Sequence, residues 1–116
     1  MIYYLASPYT HKDEDVRERR YNAACRATAE LIRRGFIVIS PIVHSHPLTK
    51  YGLPGDWNYW EKVDREIISR CDCVLVLALP GWDESKGVLA ELKIAEELGK
   101  PIGFIYVPYW RNVPRP

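Results

Sequence analysis

Apolar and polar positions along this chain fall into blocks whose period switches between that of a strand and that of a helix. Ile2 to Ala6 is a short apolar run closed by Ser7-Pro8, which predicts a buried strand and a turn. From about Asp13 to Arg34, Tyr21, Cys25, Thr28 and Ile32 recur at helical spacing with Ala24, Ala27 and Leu31 beside them, and Gly35 supplies the stop. Phe36 to Ile39 predicts a second strand, ended by Ser40-Pro41. The stretch from His44 to Gly55 mixes prolines, glycines and polar residues, so it predicts a long loop of the kind that often carries function. Asp56 is placed to N-cap a second helix reaching about Arg70, with Trp57, Trp60, Ile67 and Ile68 on one side. Cys73 to Leu79 is unbroken apolar sequence, the mark of a strand buried on both faces. Ser85 is the expected N-cap of a third helix, with Val88, Leu92 and Ala95 inward and Gly99 as its stop; Ile102 to Val107 predicts the fourth strand. The proline-rich end of the chain, to Pro116, predicts an extended tail.

Strand–helix alternation with doubly buried strands implies a three-layer α/β domain, flavodoxin-like or Rossmann-like, with a four- to five-stranded parallel sheet. Such sheets bind ligands beyond the carboxyl ends of their strands, where the strand order switches. That rule singles out Ser7 to His11, Ser40 to His46, Leu79 to Ser85 and the tail after Val107.

With 116 residues the elements use up nearly the whole chain, so one domain spanning 1–116 is expected. Sixteen Lys and Arg against fifteen Asp and Glu leave a formal charge of +1, which argues against a nucleic-acid coat or a polybasic membrane binder. The three cysteines are an odd number, as suits a cytoplasmic protein, and Cys71 and Cys73, without zinc-ligand spacing, read as small buried hydrophobes. No signal peptide or membrane span is apparent in the sequence. Eight Tyr and four Trp against two Phe favour a wet cleft or an interface over a purely apolar core.

Two carboxylates stand out. Glu91 lies within two turns of the start of the third helix, three after Val88 and four before Ala95, on or beside its inward face. A carboxylate there either faces a cleft or belongs to the charged surface that also carries Glu96 and Glu97. Asp64 falls on the apolar stripe of the second helix, with ion pairing to Lys62, Arg65 or Arg70 as the alternative. Two carboxyls facing one cleft suffice for nucleophilic and acid–base roles if their environments separate their proton affinities. Ser85 and Gly87 at a helix start, and Ser7, Pro8, Tyr9 and Thr10 after the first strand, suit a sugar or an anion, although capping alone explains Ser85. The first loop lacks both G-x-G-x-x-G and G-x-x-x-x-G-K-[ST], so neither NAD nor ATP chemistry is expected. His44 and His46 suit ligand contact or loop hydrogen bonding better than metal, for want of a third ligand nearby. Trp57, Tyr59 and Trp60 suit a nucleobase, a core or an interface; Arg17, Arg19 and Arg20 form a solvated face from which one guanidinium could meet a phosphate.

Taken in order, Tyr3-Tyr4-Leu5-Ala6-Ser7-Pro8-Tyr9, Gly35-Phe36-x-Val38-x-Ser40-Pro41, Asp64 eight before Asp72, and Trp82-x-x-Ser85-x-Gly87-x-x-x-Glu91-x-x-x-Ala95-x-x-x-Gly99-Lys100-Pro101-Ile102 resemble the nucleoside 2-deoxyribosyltransferase-like superfamily, closest to a small branch of domains of unknown function. The resemblance implies cleavage or transfer of an N-glycosidic bond in a nucleoside or nucleoside 5′-monophosphate. It implies Glu91 as the nucleophile, Asp64 as its helper near base or sugar, Tyr3 as the residue that orients Glu91, and the Ser7 loop as the cover over sugar and phosphate. His44, Ser7, Pro8, Tyr9, Ser85 and Gly87 are the expected substrate contacts, and no metal or redox cofactor is needed. Ser85 stands where the transferases carry Asp and the nucleotide-hydrolysing relatives carry Ser. Asn112 does not match the register of the transferases' C-terminal Asn. The alternative is a non-catalytic nucleotide-binding or sensing module, and a weaker third reading is a structural or phage-assembly protein. With no segment left over to act as a lid, a homo-oligomer is expected, with some of Trp57, Trp60, Tyr109 and Trp110 at the contact.

Overall fold

The computed structural model describes residues 1–106. Its elements run β1 (Ile2–Ala6), α1 (Glu14–Arg33), β2 (Ile37–Ile39), α2 (Pro41–Leu48), α3 (Trp57–Arg70), β3 (Cys73–Ala78), α4 (Lys86–Glu97) and β4 (Ile102–Tyr106), with short 3-10 turns at Thr49–Tyr51 and Trp82–Glu84. The four strands are all parallel, in the order β2-β1-β3-β4, with Tyr4 opposite Val74 and Val74 opposite Ile102. This is the three-layer α/β fold expected from the sequence, with four strands among the described residues.

The two faces of the sheet bury separate apolar clusters. Tyr4, Ala6, Val74 and Val76 pack against Ile68 of α3 and Val88, Ile94 and Ala95 of α4. Leu5, Val38 and Leu77 pack on the opposite face against Ala27 and Leu31 of α1. Complete burial of side chains such as Leu5, Ile68 and Leu77 contributes about 1.5–3 kcal/mol each. Cys71 and Cys73 are buried and free.

The helix ends follow their local chemistry. Asp13 caps α1 by accepting from Asp15 N at 2.9 Å, and Glu14 and Asp15 place negative charge at the positive end of the helix. Ser85 caps α4 by accepting from Val88 N at 3.2 Å. At the far end of α4, Lys100 N donates to Ala95 O at 2.8 Å past Gly99.

One expectation is corrected. The first part of the expected His44–Gly55 loop is helical, because Pro41–Leu48 forms α2. Ser40 Oγ accepts from Val43 N at 3.3 Å, and Pro41 occupies the first helical position, where its missing N–H costs nothing. Pro47 falls in the last turn, so a residue that would break a longer helix ends this one late. No described helix is long and apolar enough to cross a membrane.

The strand order puts the switch point between β1 and β3. The chain leaves β1 outward to β2 and then returns across the sheet to β3, so the loops after β1 and β3 diverge and open a crevice. Arg20 ties those loops together, donating from Nη1 to Thr10 O at 3.1 Å and from Nη2 to Pro80 O at 3.3 Å. Gly81 beside it has φ +89°, and a Cβ there meets Arg20 Nη2 at 2.8 Å. Gly81→Ala is expected to destabilise the fold by about 1–2 kcal/mol through the left-handed backbone alone. The check is a lower urea midpoint at unchanged slope.

Candidate active site

Glu91 projects from the second turn of α4 beneath the crevice and is 5% exposed; Asp64, from the middle of α3, is 7% exposed. Both reach Tyr4, which lies wholly buried in the centre of β1. The Tyr4 hydroxyl donates to Glu91 Oε2, joining residues 87 apart in sequence. The arrangement follows from packing: α3 and α4 pair side by side on one sheet face, and their inward stripes carry one acid each.

Burial governs the electrostatics. It pushes the Glu91 carboxyl up to about 8, against the lowering effect of the Tyr4 hydroxyl, with the Asp64 charge adding to the rise. It pushes Asp64 up to about 7, again opposed by Tyr4. Tyr4 itself is raised by burial first, then by the neighbouring Glu91 and Asp64 charges, so it stays a proton donor. Near neutral pH the two carboxyls together hold about one proton, as a titrating pair. The donated Tyr4 hydrogen bond favours the charge on Glu91.

The pocket above the pair is bounded by Ser7, Tyr9 and Thr10 from the β1 loop, Trp57 and Trp60 from α3, and Ser85 and Gly87 from the α4 start. The space against the carboxyls is narrow, about 40 Å³. It lies between two wider open pockets, about 300 Å³ beside His11, Arg17 and Thr49 and about 230 Å³ beside Asn58, Glu84 and Lys86. Ser7 Oγ is buried and has no hydrogen-bond partner among the described residues. A polar group so placed at a cleft wall is open to a hydrogen bond from a water or a ligand. A Cβ at Gly87 would lie 3.8 Å from the Trp57 ring, an ordinary contact.

Most residues singled out in the sequence meet here: Glu91, Asp64, Ser7, Tyr9, Ser85 and Gly87 line one pocket, and Pro8 is buried between two of them. Two do not. Tyr3 does not orient Glu91. It lies on the other sheet face, edge-on to Phe36 at 5.3 Å, with its hydroxyl near Met1 Sδ. Side chains alternate along a strand, and Tyr4 is the one that faces α4. His44 is exposed outside the pocket, edge-on to Trp60 at 6.5 Å; helical α2 turns Ile42 and Ser45 to the pocket instead. Trp60 is buried, its Nε1 donating to Pro54 O at 2.6 Å, so it holds the loop before α3 and is no surface contact. Arg17 donates to His11 O and Arg20 clamps two loops, so neither is a merely solvated charge. Tyr109, Trp110 and Asn112 lie outside the described residues.

Among the described residues no group of three or more His, Cys, Asp or Glu is placed to hold a metal ion. Sequence reasoning missed Tyr4, Ile42, Ser45 and the partners of His46. The only available signal was the strand period, which an all-apolar β1 does not display.

A comparable arrangement of elements is found in the 2-deoxyribosyltransferase of the psychrotolerant bacterium Bacillus psychrosaccharolyticus. The two structures superpose with a TM-score of 0.65 at 25% identity, over 91% of this chain and 72% of that one. No curated protein matches the chain. The family described as Domain of unknown function (DUF1937) matches residues 1–107, and with nearly the whole chain covered, the protein belongs to that family.

Proposed function

We propose that this protein cleaves or transfers the N-glycosidic bond of a deoxynucleoside or nucleoside 5′-monophosphate, with Glu91 as nucleophile and Asp64 as acid and base. The observation that carries the reading is the buried pair Glu91 and Asp64, lining one pocket around the Tyr4 hydroxyl at the sheet's switch point. The likeness to a deoxyribosyltransferase supports it.

The first step starts from the singly protonated form in which Asp64 holds the proton and the Tyr4 hydroxyl stabilises the Glu91 charge: a Glu91 oxygen bonds to C1′, the C1′–N bond breaks, and its electrons leave with the base, which takes the Asp64 proton. In the second, water or the nitrogen of another base attacks C1′, Asp64 takes the attacker's proton, and the Glu91–sugar bond breaks. Ser85 and the Ser7 hydroxyl bind the sugar or its phosphate. With Ser85 where a further carboxylate would sit in a transferase, water is the proposed acceptor. A second copy of the chain closes the open side of the crevice, so the active form is a homo-oligomer.

The test is incubation with a panel of nucleosides and 5′-monophosphates, with and without a second free base, followed by chromatography. Free base is the expected product, formed fastest between about pH 7 and 8, where the pair is singly protonated. An exchanged nucleoside assigns transfer instead. Intact substrate across the whole panel overturns the reading. The second reading is a binding module, which the narrow 40 Å³ throat favours. It predicts ligand binding without product.

A further inference from the structure

Beside the two carboxyls, the cleft wall contains a set of polar side chains with no part in the steps above. Tyr9, two residues beyond Ser7, is 7% exposed and lines both the carboxylate pocket and the wider pocket beside Arg17. Its hydroxyl lies 2.6 Å from His46 Nδ1, and His46 Nε2 lies 2.8 Å from Glu18 Oε2. Tyr21 stacks on the imidazole at 4.2 Å between centroids. The imidazole is thus fixed by the β1 loop on one side and by two residues of α1 on the other.

These bonds have a direction. The Glu18 carboxylate only accepts, so Nε2 carries the ring proton. With one ring proton, Nδ1 is bare and accepts, and the Tyr9 hydroxyl donates its single hydrogen to it. The Tyr9 oxygen then has only lone pairs to offer a ligand.

We propose that Tyr9 is a specificity residue that accepts a hydrogen bond from a sugar hydroxyl of the substrate, and that His46 and Glu18 are positioning residues that set this polarity. The proposal rests on the nucleoside reading above. It gives the cleft a wall that selects a hydroxyl donor at that point and disfavours an anion there. The Arg17 guanidinium, which also acts on Tyr9, is occupied in part by the His11 carbonyl.

The experiment uses the full chain at pH 8: wild type, Tyr9→Phe and Glu18→Leu. Each acts on the best substrate of the panel and on its 3′-deoxy and 5′-deoxy analogues. Tyr9→Phe is expected to raise KM about 3- to 10-fold, the worth of one neutral hydrogen bond, and to leave kcat within about twofold. The penalty disappears for the analogue lacking the contacted hydroxyl. Glu18→Leu, at an exposed position that does not threaten folding, removes the acceptor at His46 Nε2 and shifts KM in the same direction. Nitrogen-15 NMR of the wild type is expected to show His46 protonated at Nε2. A fall in kcat at unchanged KM, an equal penalty on all three substrates, or a His46 protonated at Nδ1 overturns the proposal while leaving the nucleoside reading intact. No binding or cleavage of any panel member by wild type overturns both.

Discussion

Glu91→Gln is expected to reduce base release by about 10³-fold or more, with substrate binding retained. The amide keeps the size of the carboxyl and still offers an oxygen to the Tyr4 hydroxyl, so the site is not emptied or repacked. It cannot form the glycosyl–enzyme bond. Binding is checked separately by titration, because a loss of binding would report a collapsed pocket. Tyr4→Phe provides the graded comparison. It removes the donor that favours the charge on Glu91 and is expected to lower the rate by about 10²-fold, in the range of lost charge-stabilising donors. Tyr3→Phe, on the opposite face of the sheet, is expected to leave the rate unchanged. Undiminished release by Glu91→Gln removes Glu91 from the chemistry.

The same substitution is expected to stabilise the protein, and only at the alkaline end of its range. Glu91 and Asp64 have folded-state affinities for protons raised to about 8 and about 7, from ordinary values near 4.5 and 3.8. A group raised on folding contributes its full stability below its unfolded value, where it is protonated in both states. That contribution is lost as pH rises toward the folded value, because the unfolded chain ionises freely and the buried carboxyl does not. Glu91→Gln has no such loss. Wild type and variant are therefore expected to melt together near pH 4 and to separate steadily between about pH 5 and 8. By pH 8.5 the variant leads by about 2–4 kcal/mol, or about 10 °C in Tm for a domain of this size. Melting curves that stay parallel from pH 4 to 8.5 overturn the assignment of a costly buried charge to Glu91. An active site that lowers stability to keep two acids dry is a common trade between function and stability.

Much of this molecule was legible in the chain itself. Strand and helix periods placed every element but α2 within about two residues, because each ends on a local signal. Asp13 and Ser85 cap, Gly35 and Gly99 stop, and Ser40-Pro41 and Pro80-Gly81 close strands. The unbroken run Cys73 to Ala78 announced a central strand, and the helical spacing of Val88, Glu91 and Ala95 announced an acid on an inward face. Local physics settles these features, since each depends on residues within a turn or two.

Only the tertiary structure decided what those residues meet. In β1 both faces are buried, so the apolar run gives no hint of which tyrosine faces α4. The register with β3 chose Tyr4 over Tyr3. The α2 helix hid behind Pro41 and Pro47, which read as loop residues until their positions at the helix ends were known. His46 joins Tyr9 and Glu18 across separations of 37 and 28 residues, and Glu91 joins Tyr4 across 87. No periodicity encodes such pairings. They arise when two helices and a strand end converge on one crevice, which only the packed chain brings about.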